Sequence, residues 1–146
     1  MKPRAKILIV DDNEGLSRTA ALIFRRKGHM AETARDGLEA LEKVAHTRYD
    51  VIFMDIKMPL MDGVETYRRI KRIATCKPVV IMMTAYAVEG LVQQALEEGA
   101  RAILYKPLDL DKVLALVDEV SQAGRGTMVG RHRASASPSS MLGAGG

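Results

Sequence analysis

Short apolar runs alternate along the chain with amphipathic stretches of helical period. Residues 6–10, 51–54, 79–83 and 102–105 are nearly continuous apolar runs. Runs of that length suit strands buried on both faces. Residues 29–34 form a weaker strand candidate. Between the runs the spacing shifts to three and four. The first helix places Leu16, Ala20, Ile23 and Lys27 on one face and stops at Gly28. The second carries Leu38, Leu41, Val44 and Ala45, and the third Val64, Tyr67, Ile70 and Ile73. The fourth carries Val88, Leu91, Val92 and Ala95 and ends at Gly99. The fifth starts at an Asp109 cap and carries Leu110, Val113, Leu114 and Val117. Strict strand–helix alternation implies one α/β domain, a parallel sheet with helices on both faces. Ligands of such sheets bind at the carboxyl ends of strands, beside a topological switch point.

Periodicity stops near Ala123. Residues 123–146 are rich in Gly, Ser and Ala and are expected to be a disordered tail, linker stub or remnant, leaving a domain over 5–122. The tail also changes the meaning of the charge. The chain carries a net +4, and Arg125, Arg131 and Arg133, with no acid near them, supply three of those charges. The folded part is close to neutral, which argues against direct nucleic-acid binding. Arg68, Arg69, Lys71 and Arg72 form a local basic cluster, read as a solvated helix face. One cysteine, no export signal and no apolar run of membrane-spanning length point to a cytoplasmic protein without membrane contact.

The strand ends carry the chemistry. Strand 1 runs into Asp11, Asp12 and Asn13, and strand 3 into Asp55. Strand 4 ends at Thr84, and strand 5 at Lys106-Pro107. In a parallel sheet these ends share one edge, so three carboxylates, a hydroxyl and an ammonium converge. Taken singly, each has a plain structural role as a turn, a cap or a surface charge. Together the carboxylates repel and need neutralising. A hard divalent cation, Mg²⁺ or Mn²⁺, and Lys106 are the two remedies, and the absence of His and Cys from these motifs disfavours zinc or copper. A carboxylate beside such a cation can attack phosphorus and form an acyl phosphate. The cation, Lys106 and the Thr84 hydroxyl then neutralise its oxygens.

The segments Ile7-Leu8-Ile9-Val10-Asp11-Asp12, Met54-Asp55-Ile56-Lys57-Met58-Pro59-Leu60-Met61-Asp62-Gly63, Met83-Thr84-Ala85-Tyr86 and Tyr105-Lys106-Pro107 resemble the receiver domain of two-component response regulators. The resemblance covers residues 5–122. It implies a flavodoxin-like fold, a five-stranded parallel sheet in the order 2-1-3-4-5 with five helices. It implies that Asp55 is the phosphoacceptor and that Asp11, Asp12, Asp55 and the Lys57 carbonyl hold Mg²⁺. By the same resemblance Thr84 is the switch hydroxyl, Lys106 its cationic partner, Ala85 a small neighbour and Lys106-Pro107 a cis peptide. A histidine kinase or phosphotransfer protein is the implied partner. The helix 4–strand 5–helix 5 surface is the implied output, dimer or effector face, and the implied role is a signalling switch rather than an enzyme acting on other substrates.

One position departs from the pattern. The family's switch aromatic stands three residues before the lysine, where this chain has Ile103. Ile103 either packs under the fourth helix or changes rotamer with the switch. Tyr105 is expected on the opposite strand face, which leaves Tyr86 to reorder with the loop after strand 4. Two other classes fit less well. A haloacid-dehalogenase-type phosphohydrolase resembles Asp-x-Asp-x-Thr and needs a cap insertion, whereas this chain has Asp11-Asp12-Asn13 and no insertion. A nucleotide or flavin module needs a glycine-rich loop after strand 1, where acids stand instead.

Overall fold

The structure is a computed structural model and describes residues 4–85 and 89–130. Five strands and five helices alternate: β1 Lys6–Val10, α1 Glu14–Arg26, β2 Met30–Ala34, α2 Gly37–His46, β3 Val51–Asp55, α3 Gly63–Ile73, β4 Val79–Thr84, α4 Glu89–Glu98, β5 Ala102–Tyr105 and α5 Leu110–Gly130. All strand pairs are parallel, in the order β2-β1-β3-β4-β5. The chain therefore reverses its winding at β1, which lies between β2 and β3.

Strand alternation divides the core in two. Leu8, Val10, Ile52, Met54, Val80 and Met82 face Ala40 and Val44 of α2, Val64, Tyr67 and Ile70 of α3, and Ala95 of α4. Their neighbours Ile7, Ile9, Val51, Phe53, Ile81 and Met83 face Ala21 and Phe24 of α1 and Val113, Val117 and Val120 of α5. The Phe24 and Phe53 rings stack with centroids 5.5 Å apart. Side-chain caps begin the helices on the carboxyl side of the sheet. Asn13, Asp36 and Asp62 accept from backbone N–H groups in the first turns of α1, α2 and α3. Asp109 does the same for α5, as its position predicts.

Several helix faces sit differently from the periodicity. In α1 the buried residues are Ser17, Ala21 and Phe24, while Leu16, Ala20 and Ile23 are half-buried and Lys27 is the exposed cap. The face is rotated toward Phe24, because burying a ring outweighs burying a lysine stem. Leu38, Ala45, Ile73 and Leu110 are exposed rather than core. Helix α5 continues past residue 122 to Gly130, into the stretch expected to be unstructured. Extending a helix fixes one residue per added hydrogen bond, whereas starting one is costly. Val88 and residues 131–146 lie outside the described residues.

Tyr105 also needs correction. The β4–β5 register pairs Ile103 with Met82 and Tyr105 with Thr84. Two residues apart, Ile103 and Tyr105 share one sheet face, not opposite ones. Ile103 packs in the core layer that holds Leu91, Val92 and Ala95 of α4, whereas the Tyr105 ring emerges at the strand end, exposed.

The two cores give a direct check. Phe24→Ala should cost about 3–5 kcal/mol in denaturant unfolding, since it removes a ring from the sealed α1 layer. Leu38→Ala should stay within about 0.5 kcal/mol, because that side chain is already in water.

Candidate functional site

Each strand end is held by one more ladder bond as it leaves the core. Asp11 N–H donates to the Ala34 carbonyl at 3.0 Å, Ile56 N–H to Met83 at 2.9 Å, and Lys106 N–H to Thr84 at 2.8 Å. The side chains at these ends are thereby positioned by the sheet rather than by loops.

Three carboxylates meet at the switch point. Oxygens of Asp11, Asp12 and Asp55 all lie within 4.8 Å of one another, with Asp11 and Asp55 buried and Asp12 exposed. Lys106 Nζ donates to Asp11 Oδ2 at 2.7 Å and to Asp55 Oδ2 at 3.2 Å. The second Asp11 oxygen accepts from Asn13 N–H at 2.9 Å, so both of its oxygens are tied. Asp55 is held more loosely: its other oxygen accepts from Lys57 N–H at 3.3 Å. Of the two buried carboxylates, Asp55 is the one held by the longer bonds.

The electrostatics agree. Burial, followed by repulsion from Asp11, raises the Asp55 pKa from 3.8 to about 6, against the opposing pull of Lys106. Burial works against the Lys106 ammonium, but its bonds and charge pairing with Asp11 and Asp55 prevail and its pKa is raised. The cluster therefore holds a cation and at least two anions in place. Its donors are all oxygens, the set suited to a hard divalent ion.

Thr84 is fully buried at the end of β4, one strand over from Asp55. Lys57 is exposed, two residues past Asp55. Ala85 is exposed beside Thr84, and Tyr86 lies outside the described residues. Ile103 belongs to the core below, in register with Met82, rather than to the cluster. The Lys106-Pro107 peptide is cis, as the resemblance implies.

Two supporting residues escape a motif-level reading. Asn13 caps α1 through its side chain and orients Asp11 through its backbone. Gly63, the first residue of α3, brings the helix against the end of β3. A Cβ there would lie 2.4 Å from the Asp55 carbonyl oxygen, and its N–H donates to Ile56 at 2.7 Å. The Asp62-Gly63 pair carried that signal in the sequence: a capping acid, then a residue with no side chain.

The response regulator receiver domain profile matches residues 7–118. The chain belongs to that family. As a receiver it is 39% identical over 108 residues to sporulation initiation phosphotransferase F of Bacillus subtilis, covering 74% of this chain and 86% of that one. It is 40% identical over 113 residues to the transcriptional regulatory protein ZraR of Klebsiella oxytoca, covering 77% of this chain but 25% of that protein. Among solved structures, the N-terminal domain of the protein WS1339 from Wolinella succinogenes superposes with a TM-score of 0.79 at 28% identity, covering 84% of this chain and 98% of that one. A CheY-like receiver domain protein from Methanospirillum hungatei superposes with a TM-score of 0.73 at 28% identity, covering 82% and 98%. Receivers act as signalling switches. The comparisons and the sheet order establish the flavodoxin-like fold predicted from the resemblance. Among the described residues no helix is long and apolar enough to cross a membrane.

The raised Asp55 pKa sets a sign. Its neutral form is favoured in the folded chain, so the associated stability is present below pH 3.8 and is lost as pH rises through about 6. Asp55→Asn removes that liability. In chelator-treated buffer at neutral pH the variant should be more stable than wild type by on the order of 1–2 kcal/mol, discounted for water that still reaches the site. The gain should vanish in acid below the ordinary carboxylate pKa. Urea unfolding at the two pH values checks both the size and the sign.

Proposed function

We propose that this receiver accepts a phosphoryl group on Asp55 from a histidine kinase or phosphotransfer protein, with Mg²⁺ or Mn²⁺ held by Asp11, Asp12, Asp55 and the Lys57 carbonyl. The observation that carries this is the unequal holding of the two buried carboxylates. Asp11 has both oxygens fixed at short range, whereas Asp55 is buried, loosely bonded and raised in pKa beside the same ammonium.

An oxygen of ionised Asp55 attacks phosphorus in line. The bond from phosphorus to the donor nitrogen breaks, and its electron pair leaves with the donor imidazole. Lys106 already bridges Asp11 and Asp55, so a small movement brings it to a phosphoryl oxygen. A divalent cation held by Asp11, Asp12 and Asp55 would supply further charge neutralisation for the phosphoryl group. Thr84 stands on the adjacent strand to donate its hydroxyl to the new dianion, and the loop after β4 follows it. The surface formed by α4, β5 and α5 is then the output face, for a dimer or an effector. With Ile103 in the core layer and no aromatic at that position, the loop rather than a buried ring carries the change. The lone, exposed Cys76 suits a cytoplasmic site of action.

With acetyl phosphate and Mg²⁺, intact-mass measurement should show one added phosphoryl group on wild type and none on Asp55→Asn. Asp12→Ala should bind Mg²⁺ more weakly by calorimetry, and Lys106→Ala should hold the beryllofluoride mimic poorly. A phosphoryl group on the Asp55→Asn variant would overturn the assignment.

Amide exchange with and without beryllofluoride tests the conformational half. Protection should change through residues 85–105. Changes confined to the neighbourhood of Asp55 would mean an acceptor suited to relay rather than to output.

A further inference from the structure

Strand β2 is one edge of the sheet and pairs with β1 alone. In a parallel ladder alternate residues turn their N–H and carbonyl to the neighbouring strand, and the residues between turn theirs away. Met30 N–H donates to the Ala5 carbonyl at 3.0 Å, and the Ala34 carbonyl accepts from Asp11 N–H at 3.0 Å. Met30, Glu32 and Ala34 therefore face β1, while Ala31 and Thr33 point their backbone groups out of the sheet. Outward groups of this kind are a template on which another strand can pair.

Both outward carbonyls are already taken. Arg25 of α1 donates to the Ala31 carbonyl from Nη2 at 2.7 Å and from Nε at 3.2 Å. Lys43 of α2 donates from Nζ to the Thr33 carbonyl at 2.7 Å. The two helices lie on opposite faces of the sheet, α1 on the layer that holds Phe53 and α2 on the layer that holds Ile52. One cation folds over the edge from each side, and the two end on successive outward acceptors. Tethering a helix to the sheet would not by itself direct both side chains to that one row of carbonyls.

A second copy of β2 is the strand whose backbone complements this edge. Run antiparallel about a two-fold axis at Glu32, it sets Ala31 opposite Thr33 of the second copy, and Thr33 opposite Ala31. Residues whose groups point at each other in this way exchange N–H and carbonyl, so every outward group would find a partner. Glu32 would face its own copy across the axis, a like-charge contact that opposes the pairing. Within the chain Glu32 accepts from the Tyr49 hydroxyl at 2.6 Å and lies 3.7 Å from Lys6 Nζ.

We propose that Arg25 and Lys43 block the β2 edge, and that what they exclude is pairing of this chain with a second copy, β2 to β2. Such pairing has to break the charge-assisted bonds to Ala31 and Thr33 in each copy before the backbone bonds can form. Self-association of the chain is thereby kept off this edge.

Arg25→Met together with Lys43→Met keeps the length of each stem and removes its donors. Amide shifts of the ¹⁵N-labelled full chain are followed over a range of concentration, with sedimentation velocity for the mass. In wild type the Ala31 and Thr33 amides should not move with concentration, whatever other face associates. In the double variant they should move as the mass reaches that of two chains, with pairing at least about tenfold tighter than in wild type. Adding Glu32→Gln, which can keep the bond from Tyr49, should tighten it further, by up to several-fold. Arg26→Met with Arg48→Met makes the same change of charge away from the edge and should leave those amides still. A folded triple variant whose Ala31 and Thr33 amides stay still up to about millimolar concentration would overturn the proposal. So would association of the variant on another face, or equal movement of these amides in wild type or in the Arg26/Arg48 variant. Lys43→Met alone, which leaves the Arg25 contact in place, repeats the test at Thr33 should the double variant not fold.

Discussion

The ammonium of Lys106 shared between two buried carboxylates is the interaction on which the site depends. It joins the end of β5 to the ends of β1 and β3 across the unbroken β4, so it ties distant parts of the chain at one point. Without it, Asp11 and Asp55 would face each other almost dry, at a cost no small domain carries lightly. The sheet makes the arrangement possible. Its parallel ladders hold the three strand ends in fixed register, and the change of winding at β1 leaves the gap into which the acids project.

Burial and charge act on the two carboxylates unequally, and that asymmetry separates structure from chemistry. Asp11 has short bonds to both oxygens, one from Asn13 and one from Lys106. Asp55 has longer bonds to the same lysine and to Lys57. A carboxylate held by short, charge-assisted bonds is the weaker nucleophile, because those bonds draw on its electron density. One that is buried yet underbonded is both easier to protonate and readier to react. The raised Asp55 pKa and its proposed role are two consequences of one geometry.

Much of this was legible before any coordinates. The continuous apolar runs suit strands covered on both faces, and in a parallel sheet the polar residues ending four of them share an edge. What escaped has physical reasons. Helical periodicity locates an apolar stripe to within about one residue position, so α1 was read with Leu16 and Lys27 on the buried face instead of Ala21 and Phe24. Leucine on a helix is not always core: Leu38 of α2 is exposed because the neighbouring layer stops short of it. The face of Tyr105 was misjudged, although strand period places it beside Ile103. Gly63 matters for how closely its backbone approaches β3, and Asn13 orients Asp11 through its main-chain N–H, roles that side-chain chemistry alone does not announce.

The Ile103 position bears on how the proposed switch would work. An aromatic ring at that point would sit where β5 meets α4 and would need a cavity to turn into. Ile103 instead packs in the layer with Leu91, Val92 and Ala95. A branched aliphatic side chain in a packed layer has few rotamers and no ring edge to exchange between solvent and core. Under the proposed switch, a change that begins at Thr84 would reach α4 through the backbone rather than through this side chain. Helix α4 is suited to respond. Ala95 is its one core-buried residue among those described, and its carboxyl end is fixed to α3 by the Glu98 contacts with Arg68 and Lys71. A helix held at one end and lightly packed along its length would, in the proposed switch, turn a displacement at its other end into a tilt.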